Sequence, residues 1–296
     1  MNDEIKVKAF AKLNLTMEVL SKRDDGYHNV RTLMQFISLY DELIFKESEN
    51  IVFECNDKSI ENDKNLVVRA FKLIQSYMNE RGVAIPNMYI YLDKRVPYMS
   101  GMGSGSSDAA MVLYTINKKY NCGLSQEELC RLGKALGADV PACLYGNTLI
   151  AEGIGEKIEV LETDNEYHYV IIKPNEAFST AQMYKKIDEQ SIYSDANYTE
   201  KLREQIINQD KLSFYNNFEM VAVPQDIVKK YKDILVDVGA YASSMTGAGS
   251  AFFGIFKDEK SAILAQTKLD ELNVDSLYST YCCHSLKDMM KKAMND

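Results

Sequence analysis

From residue 5 to residue 19 every odd position is apolar, running Ile5, Val7, Ala9, Ala11, Leu13, Leu15, Met17, Val19. The even positions carry Lys6, Lys8, Lys12, Asn14, Thr16 and Glu18, with Phe10 the one exception. A period of two predicts a β-strand, and a run this long predicts a break or bulge near its middle. Arg23-Asp-Asp-Gly26 marks a turn, and residues 32–45 read as further strand. The spacing of Leu66, Ala70, Leu73, Ile74 and Met78 predicts a helix over 65–79, and 88–92 reads as a short strand. Beyond a glycine-rich loop, Ala109, Ala110, Leu113, Ile116 and Tyr120 mark a second helix. A third opens on the capping box Ser125-Gln-Glu-Glu128 and stops at Gly137. Residues 149–159 read as a hairpin turning at Gly153-Ile-Gly155.

The polar stretch Glu162-Thr-Asp-Asn-Glu166 is a composition shift, and we place a domain boundary there, giving 1–163 and 164–296. After it come strands at 169–172, 252–256 and 279–283. Helical patterns lie near 179–188, 198–208, 225–237, 258–272 and 285–294. Helices and a few separated strands make this an α+β chain. With 296 residues it exceeds what one core usually serves, which also favours two domains.

Composition narrows the function. A net charge of −9 disfavours nucleic acid or an anionic membrane surface as partner. An anionic small molecule remains open, because Lys6, Lys8, Lys12, Lys22 and Arg23 cluster near the start. No window reads as a signal peptide or membrane span. Six cysteines show neither metal-ligand nor disulfide spacing, which fits reduced thiols and a cytoplasmic setting. Cys282 and Cys283, adjacent in a strand, are expected on opposite faces.

The candidate chemistry lies in Gly101-Met-Gly-Ser-Gly-Ser-Ser107, directly before a helix. Glycines at 101, 103 and 105 let several backbone N–H groups point into one concavity, and the helix dipole faces the same place. Ser104, Ser106 and Ser107 add hydroxyls for a phosphate or a metal ion. A flexible linker or a plain helix cap is the simpler reading. The loop lacks the Gly-Lys-Ser/Thr of a Walker motif and is no dinucleotide fingerprint. Lys12 and Asn14 share the polar face of the first strand roughly 7 Å apart, although strand lysines are commonly just solvated. Asp139 precedes Pro141 on a constrained turn, where a capping role is the alternative. Ser244-Met-Thr-Gly-Ala-Gly249 is either a strand-to-strand turn or an element closing over the phosphate site.

Taken in order, these segments resemble the GHMP kinases. The motifs are Ala11-Lys12-Leu13-Asn14-Leu15, Asp25-Gly-Tyr-His28, Gly105-Ser-Ser-Asp-Ala-Ala110, Leu136-Gly-Ala-Asp-Val-Pro141 and Thr246-Gly-Ala-Gly249. The resemblance implies an N-terminal α/β domain (ribosomal protein S5 domain 2-like), a ferredoxin-like C-terminal domain and a site between them. It implies ATP and Mg²⁺, with Lys12 and Asp139 as the catalytic pair. Phosphate binding falls to Pro97, Met99, Gly101, Gly103, Ser104, Gly105, Ser106, Ser107, Thr246, Gly247 and Gly249. Asn14, Tyr27, His28, Thr180 and Tyr184 are expected to hold the acceptor. Asp25-Gly-Tyr-His28 is typical of a branch that phosphorylates the 2-hydroxyl of a small polyol bearing a cytidine diphosphate, and rings at 27 and 184 suit a flat base. Another alcohol-phosphorylating relative, or a non-catalytic nucleotide binder, is the alternative. The resemblance leaves the Mg²⁺ ligands and oligomeric state open. The family loop usually reads Pro-x-Gly-x-Gly-Leu-Gly-Gly-Gly-Ser-Ser; here Met99 and Ser104 replace two glycines and Met102 the leucine. Met99 is expected to pack under the adenosine and Ser104 to donate to a phosphate, unless positive φ at either position strains the loop.

Overall fold

The computed structural model describes residues 4–222, 224–287 and 289–294. The alternating start folds as two strands, Ile5–Asn14 (β1) and Thr16–Lys22 (β2), both antiparallel to one long strand, His28–Glu47 (β3). Val52–Cys55 (β4) runs parallel to Met88–Asp93 (β5), and β5 pairs with the far end of β3. The hairpin Thr148–Gly153 (β6) and Lys157–Val160 (β7) completes this region by pairing β6 with β3. Helices Leu66–Asn79 (α1), Ser104–Lys119 (α2), Gln126–Lys134 (α3) and Val140–Tyr145 (α4) cover one side. Asn65 caps α1 by accepting the Val67 N–H, and the expected capping box opens α3.

The later half builds a four-stranded antiparallel sheet. Its strands are His168–Pro174 (β8), Ala242–Met245, Phe252–Phe256 and Tyr278–His284. Between β8 and the second of these, Tyr215–Asn216 (β9) leaves to run parallel to β2 in the larger sheet. The remaining three are therefore β10, β11 and β12, in spatial order β10-β11-β8-β12. The helices of this half are Thr180–Gln190 (α5), Tyr198–Asn208 (α6), Gln225–Asp237 (α7), Glu259–Leu272 (α8) and Met289–Met294 (α9). One core fills the space between the two sheets, with Leu13 and Leu33 meeting Tyr169, Ile171, Phe253 and Ile255. A second lies on the outer face of the small sheet under α5, α7 and α8. Cys282 packs with the outer core and Cys283 with the inner, on opposite faces as expected.

The exception at Phe10 turns out to aim the site. The β1–β3 register shifts between Phe10 and Lys12. Before the shift Val7 and Ala9, at odd positions, pack toward α1 and α2; after it Ala11, Leu13 and Leu15 pack into the inter-sheet core. Across the irregularity Ala11 alone stands opposite Ile37, Ser38 and Leu39, and the odd positions change faces, so Lys12 and Asn14 are turned from the inter-sheet core toward the start of α2.

Several elements were not signalled by the sequence. β4, β9, β10 and α4 are at most six residues long, too short for a period to register. The helix expected over 285–294 starts only at Met289, because the Ser285 and Leu286 N–H groups donate to Tyr167 O and Phe36 O and prolong strand-like pairing. Residue 288 lies outside the described residues. The proposed boundary at 163/164 falls in the link between β7 and β8. No helix among the described residues is long and apolar enough to cross a membrane.

Candidate active site

The glycine loop ends where α2 begins. Gly101 and Gly103 both adopt left-handed backbone, at φ 77° and 68°, and Gly103 is the N-cap of α2 without a side chain to close it. The first N–H groups of the helix are thus left for an anion. The loop is clamped from the opposite half of the molecule. Ala251 N–H donates to Ser100 O (3.1 Å), and the Thr246 hydroxyl to Gly101 O (3.3 Å). A Cβ on Gly101 would sit 2.1 Å from Thr246 O, and one on Gly247 3.0 Å from Gly101 O. The 244–249 segment is therefore both the β10–β11 turn and a strap across the loop.

Lys12 runs beneath this loop. Its Nζ donates to Gly101 O (2.8 Å) and to Asn14 Oδ1, and lies 3.6 Å from Asp139 Oδ2. The Lys12 side chain is 4% exposed and that of Asp139 36%, so the pair joins a buried ammonium to a carboxylate open to the cavity. Asp139 stands at the N-cap of α4, yet its side chain caps nothing. Asn14 is held by donating from Nδ2 to Thr32 Oγ1 (2.7 Å), and its backbone N–H donates to Thr246 Oγ1 (2.9 Å).

These groups line one end of a cavity of about 840 Å³. The other end is walled by Tyr27, His28, Thr180 and Tyr184. The Tyr184 ring stacks on His28 (centroids 4.5 Å apart, 21° between planes) and meets Phe218 edge-on at 4.9 Å. Burial, with the Asp139 charge adding to it, pushes the Tyr184 phenol well up, so it stays protonated. Tyr27 is 59% exposed on the turn that Gly26 permits. Behind His28, Asp188 accepts from His28 Nε2 (2.7 Å), Lys22 Nζ (2.6 Å) and Tyr193 OH (2.9 Å).

Lys12, Asn14, Asp139, Gly101, Gly103, Ser106, Gly247, Tyr27, His28, Thr180 and Tyr184 thus meet around one cavity. Pro97, Met99, Ser104, Gly105, Ser107, Thr246 and Gly249 do not line it. Two expectations need correction. Ser104 does not aim its hydroxyl at a phosphate: it donates to Asp41 Oδ2 (2.9 Å) and meets Lys94 Nζ, facing inward as the first residue of α2. Nor does it strain the loop, since its backbone is helical. The left-handed position is Met99, at φ 52°, and this residue is 48% exposed.

Asp41 belongs to a buried network that the sequence did not signal. Its Oδ1 takes the Arg95 and Val96 N–H groups, while Lys94 bridges Asp41 (2.5 Å) and Asp108 (3.1 Å). Burial pushes the Asp108 carboxyl up to about 7 against the pull of Lys94. Asp188 was also missed, although Thr180, Tyr184 and Asp188 recur every four residues on one helix face, a signal the sequence did contain. Lys22 was signalled only as one of the basic residues near the start, and Tyr193 and Phe218 carried no signal.

Two family models match the chain, GHMP kinases N terminal domain over residues 65–147 and GHMP kinases C terminal over 202–275. A protein of Caldicellulosiruptor saccharolyticus named 4-diphosphocytidyl-2-C-methyl-D-erythritol kinase is 36% identical over 93% of this chain and 96% of its own length. A crystal structure of 4-(cytidine 5'-diphospho)-2C-methyl-D-erythritol kinase superposes with a TM-score of 0.81 at 26% identity, covering 95% of this chain and 99% of the other. A homoserine kinase from Cytophaga hutchinsonii shares the fold at 18% identity and a TM-score of 0.69, over 97% and 95% of the two chains.

Proposed function

The chain belongs to the GHMP kinase family, and on that premise we propose that it transfers the γ-phosphoryl group of ATP to the 2-hydroxyl of 4-diphosphocytidyl-2-C-methyl-D-erythritol, a step of isoprenoid precursor synthesis outside the mevalonate route. One observation carries this reading. The Lys12–Asp139 pair lies where the phosphate loop and the His28–Tyr184 wall meet in a single cavity.

The residues divide the work by position. The α2 N-terminus and the backbone of Gly101, Gly103 and Gly247 receive the nucleotide phosphates, where added Cβ atoms would find no room. Asp139 accepts the proton of the substrate hydroxyl as its oxygen bonds to the γ-phosphorus and the bond to the β–γ bridging oxygen breaks, releasing ADP. Lys12, fixed by Gly101 O and Asn14 and 3.6 Å from Asp139, favours the charge developing on the attacking oxygen. Asn14 acts here mainly by positioning Lys12, because both ends of its amide are engaged.

Mg²⁺ supplies charge neutralisation of the triphosphate when bound. Among the described residues no group of three or more His, Cys, Asp or Glu is placed to hold a metal ion. Ser106, the loop serine that lines the cavity, would add a hydroxyl ligand to an ion held largely by phosphate oxygens. Tyr27 and Tyr184 flank the cytosine, Thr180 lies beside it, and His28 bonds its polar edge.

The test is ADP release from ATP and Mg²⁺ with the cytidyl substrate, compared with homoserine and mevalonate. Turnover only with the cytidyl substrate is expected. Turnover with another alcohol instead moves the assignment to a sibling kinase.

A further inference from the structure

We propose that Asp188 selects the base admitted to the cavity by holding His28 in the tautomer whose cavity-facing nitrogen is a hydrogen-bond acceptor. This rests on the reading of His28 and Tyr184 as the base-binding wall.

Asp188 sits one helical turn after Tyr184 on α5, and its carboxylate receives three donors, from Lys22 on β2, Tyr193 beyond α5, and His28 at the start of β3. Burial pushes this carboxyl up, but the hydrogen bonds from Lys22, His28 and Tyr193 outweigh it and hold it at about 2. The group is therefore ionised at any working pH, and an ionised carboxylate only accepts. Nε2 of His28, 2.7 Å away, must carry a hydrogen.

The second ring nitrogen then decides recognition. The Lys22 ammonium, 2.6 Å from Oδ2, shares the Asp188 charge with the imidazole N–H. The other charged side chains lining the cavity are Lys185 on α5 and, at its far end, Lys12 and Asp139, while Asp25 of the turn is paired with Arg23 at 2.8 Å. In the neutral imidazole a hydrogen on Nε2 puts the lone pair on Nδ1. Nδ1 makes no hydrogen bond within the protein and is not among its fully buried unpartnered atoms. It therefore opens to the cavity that His28 lines. Stacking on Tyr184 fixes the plane of the ring.

An acceptor at this point pairs with an exocyclic amino group and meets a carbonyl lone pair to lone pair. Cytosine presents the first at its 4-position and uracil the second. Asp188 reaches the cavity wall beside His28, but its three hydrogen bonds direct it to act through the imidazole, as a positioning residue whose effect is read as preference.

The experiment compares kcat/KM for the cytidyl substrate and its uridyl analogue in the wild type, Asp188→Leu and Asp188→Asn. The wild type is expected to favour the cytidyl form about 10- to 100-fold, the range of one mispaired buried polar group. Asp188→Leu should lose most of that ratio, and Asp188→Asn, which keeps an acceptor oxygen, should restore it. A structural role alone would lower both substrates together. Long-range ¹H–¹⁵N spectra of the three histidines, with His28 assigned by its loss in His28→Asn, should show Nε2 protonated and Nδ1 bare at pH 7.5. An imidazolium, an Nδ1–H tautomer, equal use of both substrates by the wild type, or an unchanged ratio in Asp188→Leu overturns the proposal. Turnover of neither nucleotide substrate would instead overturn the function, and the spectra would still decide the tautomer.

Discussion

Alanine in place of Gly101 puts one methyl group where two loops from opposite halves of the molecule touch. Two effects add. At φ 77° a non-glycine residue costs roughly 1–2 kcal/mol in backbone strain. The new Cβ also falls 2.1 Å from the carbonyl oxygen of Thr246, far inside van der Waals contact. That oxygen cannot swing aside freely, because it accepts the Gly249 N–H at 3.0 Å. The loops must therefore part by about 1 Å, a misplacement that commonly lowers turnover about 100-fold. Lys12 moves with them, since its ammonium is held by Gly101 O. We expect Gly101→Ala to lower kcat/KM for ATP about 100-fold or more and to lose roughly 1–3 kcal/mol of stability in urea denaturation. Coupled ADP-release kinetics provide the first number. For stability Gly105→Ala is the control: this glycine lies inside α2, and a Cβ added there would have Leu66 Cδ1 as its nearest contact at 3.6 Å. There alanine should be neutral or stabilise by roughly 0.5–1 kcal/mol. A Gly101→Ala enzyme within about fivefold of wild type would refute the reasoning, for then the strap and the loop are not in fixed contact.

Asp139→Asn keeps the side chain's size and removes the base, so kcat should fall on the order of 10²–10⁴-fold with little change in folding. Lys12→Met should do comparable damage, and the double mutant should be less than additive in stopped-assay kinetics if the two act as a unit. Ser104→Ala removes a donor to buried Asp41, so it should cost about 1–2 kcal/mol in denaturation while the ATP KM stays within about threefold. Asp108 titrates near 7 when folded, against 3.8 for an ordinary aspartate. The folded state then holds the extra proton between those values, so stability should fall as pH rises from about 4 to about 7 and level off above it, and Asp108→Asn should remove that slope in denaturation measured from pH 5 to 8.5.

The sequence disclosed what depends on local pattern. Alternation exposed β1 and β2, Ser125 and Glu128 marked a helix start, and the glycines at 101 and 103 pointed to a loop with left-handed backbone. It did not disclose which way a residue faces once a bulge intervenes. Phe10 showed as an interruption of the period, and only the register with β3 revealed that it turns Lys12 toward α2. Ser104 was misread because nothing nearby in sequence names Asp41 and Lys94, which reach it across the fold. Asp188 was overlooked for a similar reason: its meaning comes from Lys22 and His28, more than 150 residues earlier.

The strap has a consequence for the order in which the chain can become functional. The loop at 97–107 is complete as covalent structure when barely a third of the protein has been made. Its Ser100 and Gly101 carbonyls nonetheless wait for donors at Ala251 and Thr246, and the site is held to the later half again by Asn216, whose amide secures Met245 O and Gly247 O. During synthesis, in which N-terminal regions generally fold first, the early sheet can assemble while its phosphate pocket stays unfinished. Nucleotide can then act as a folding ligand only after about residue 251 has emerged, so a ribosome-bound fragment ending before the strap should neither retain ATP nor gain protease resistance from it.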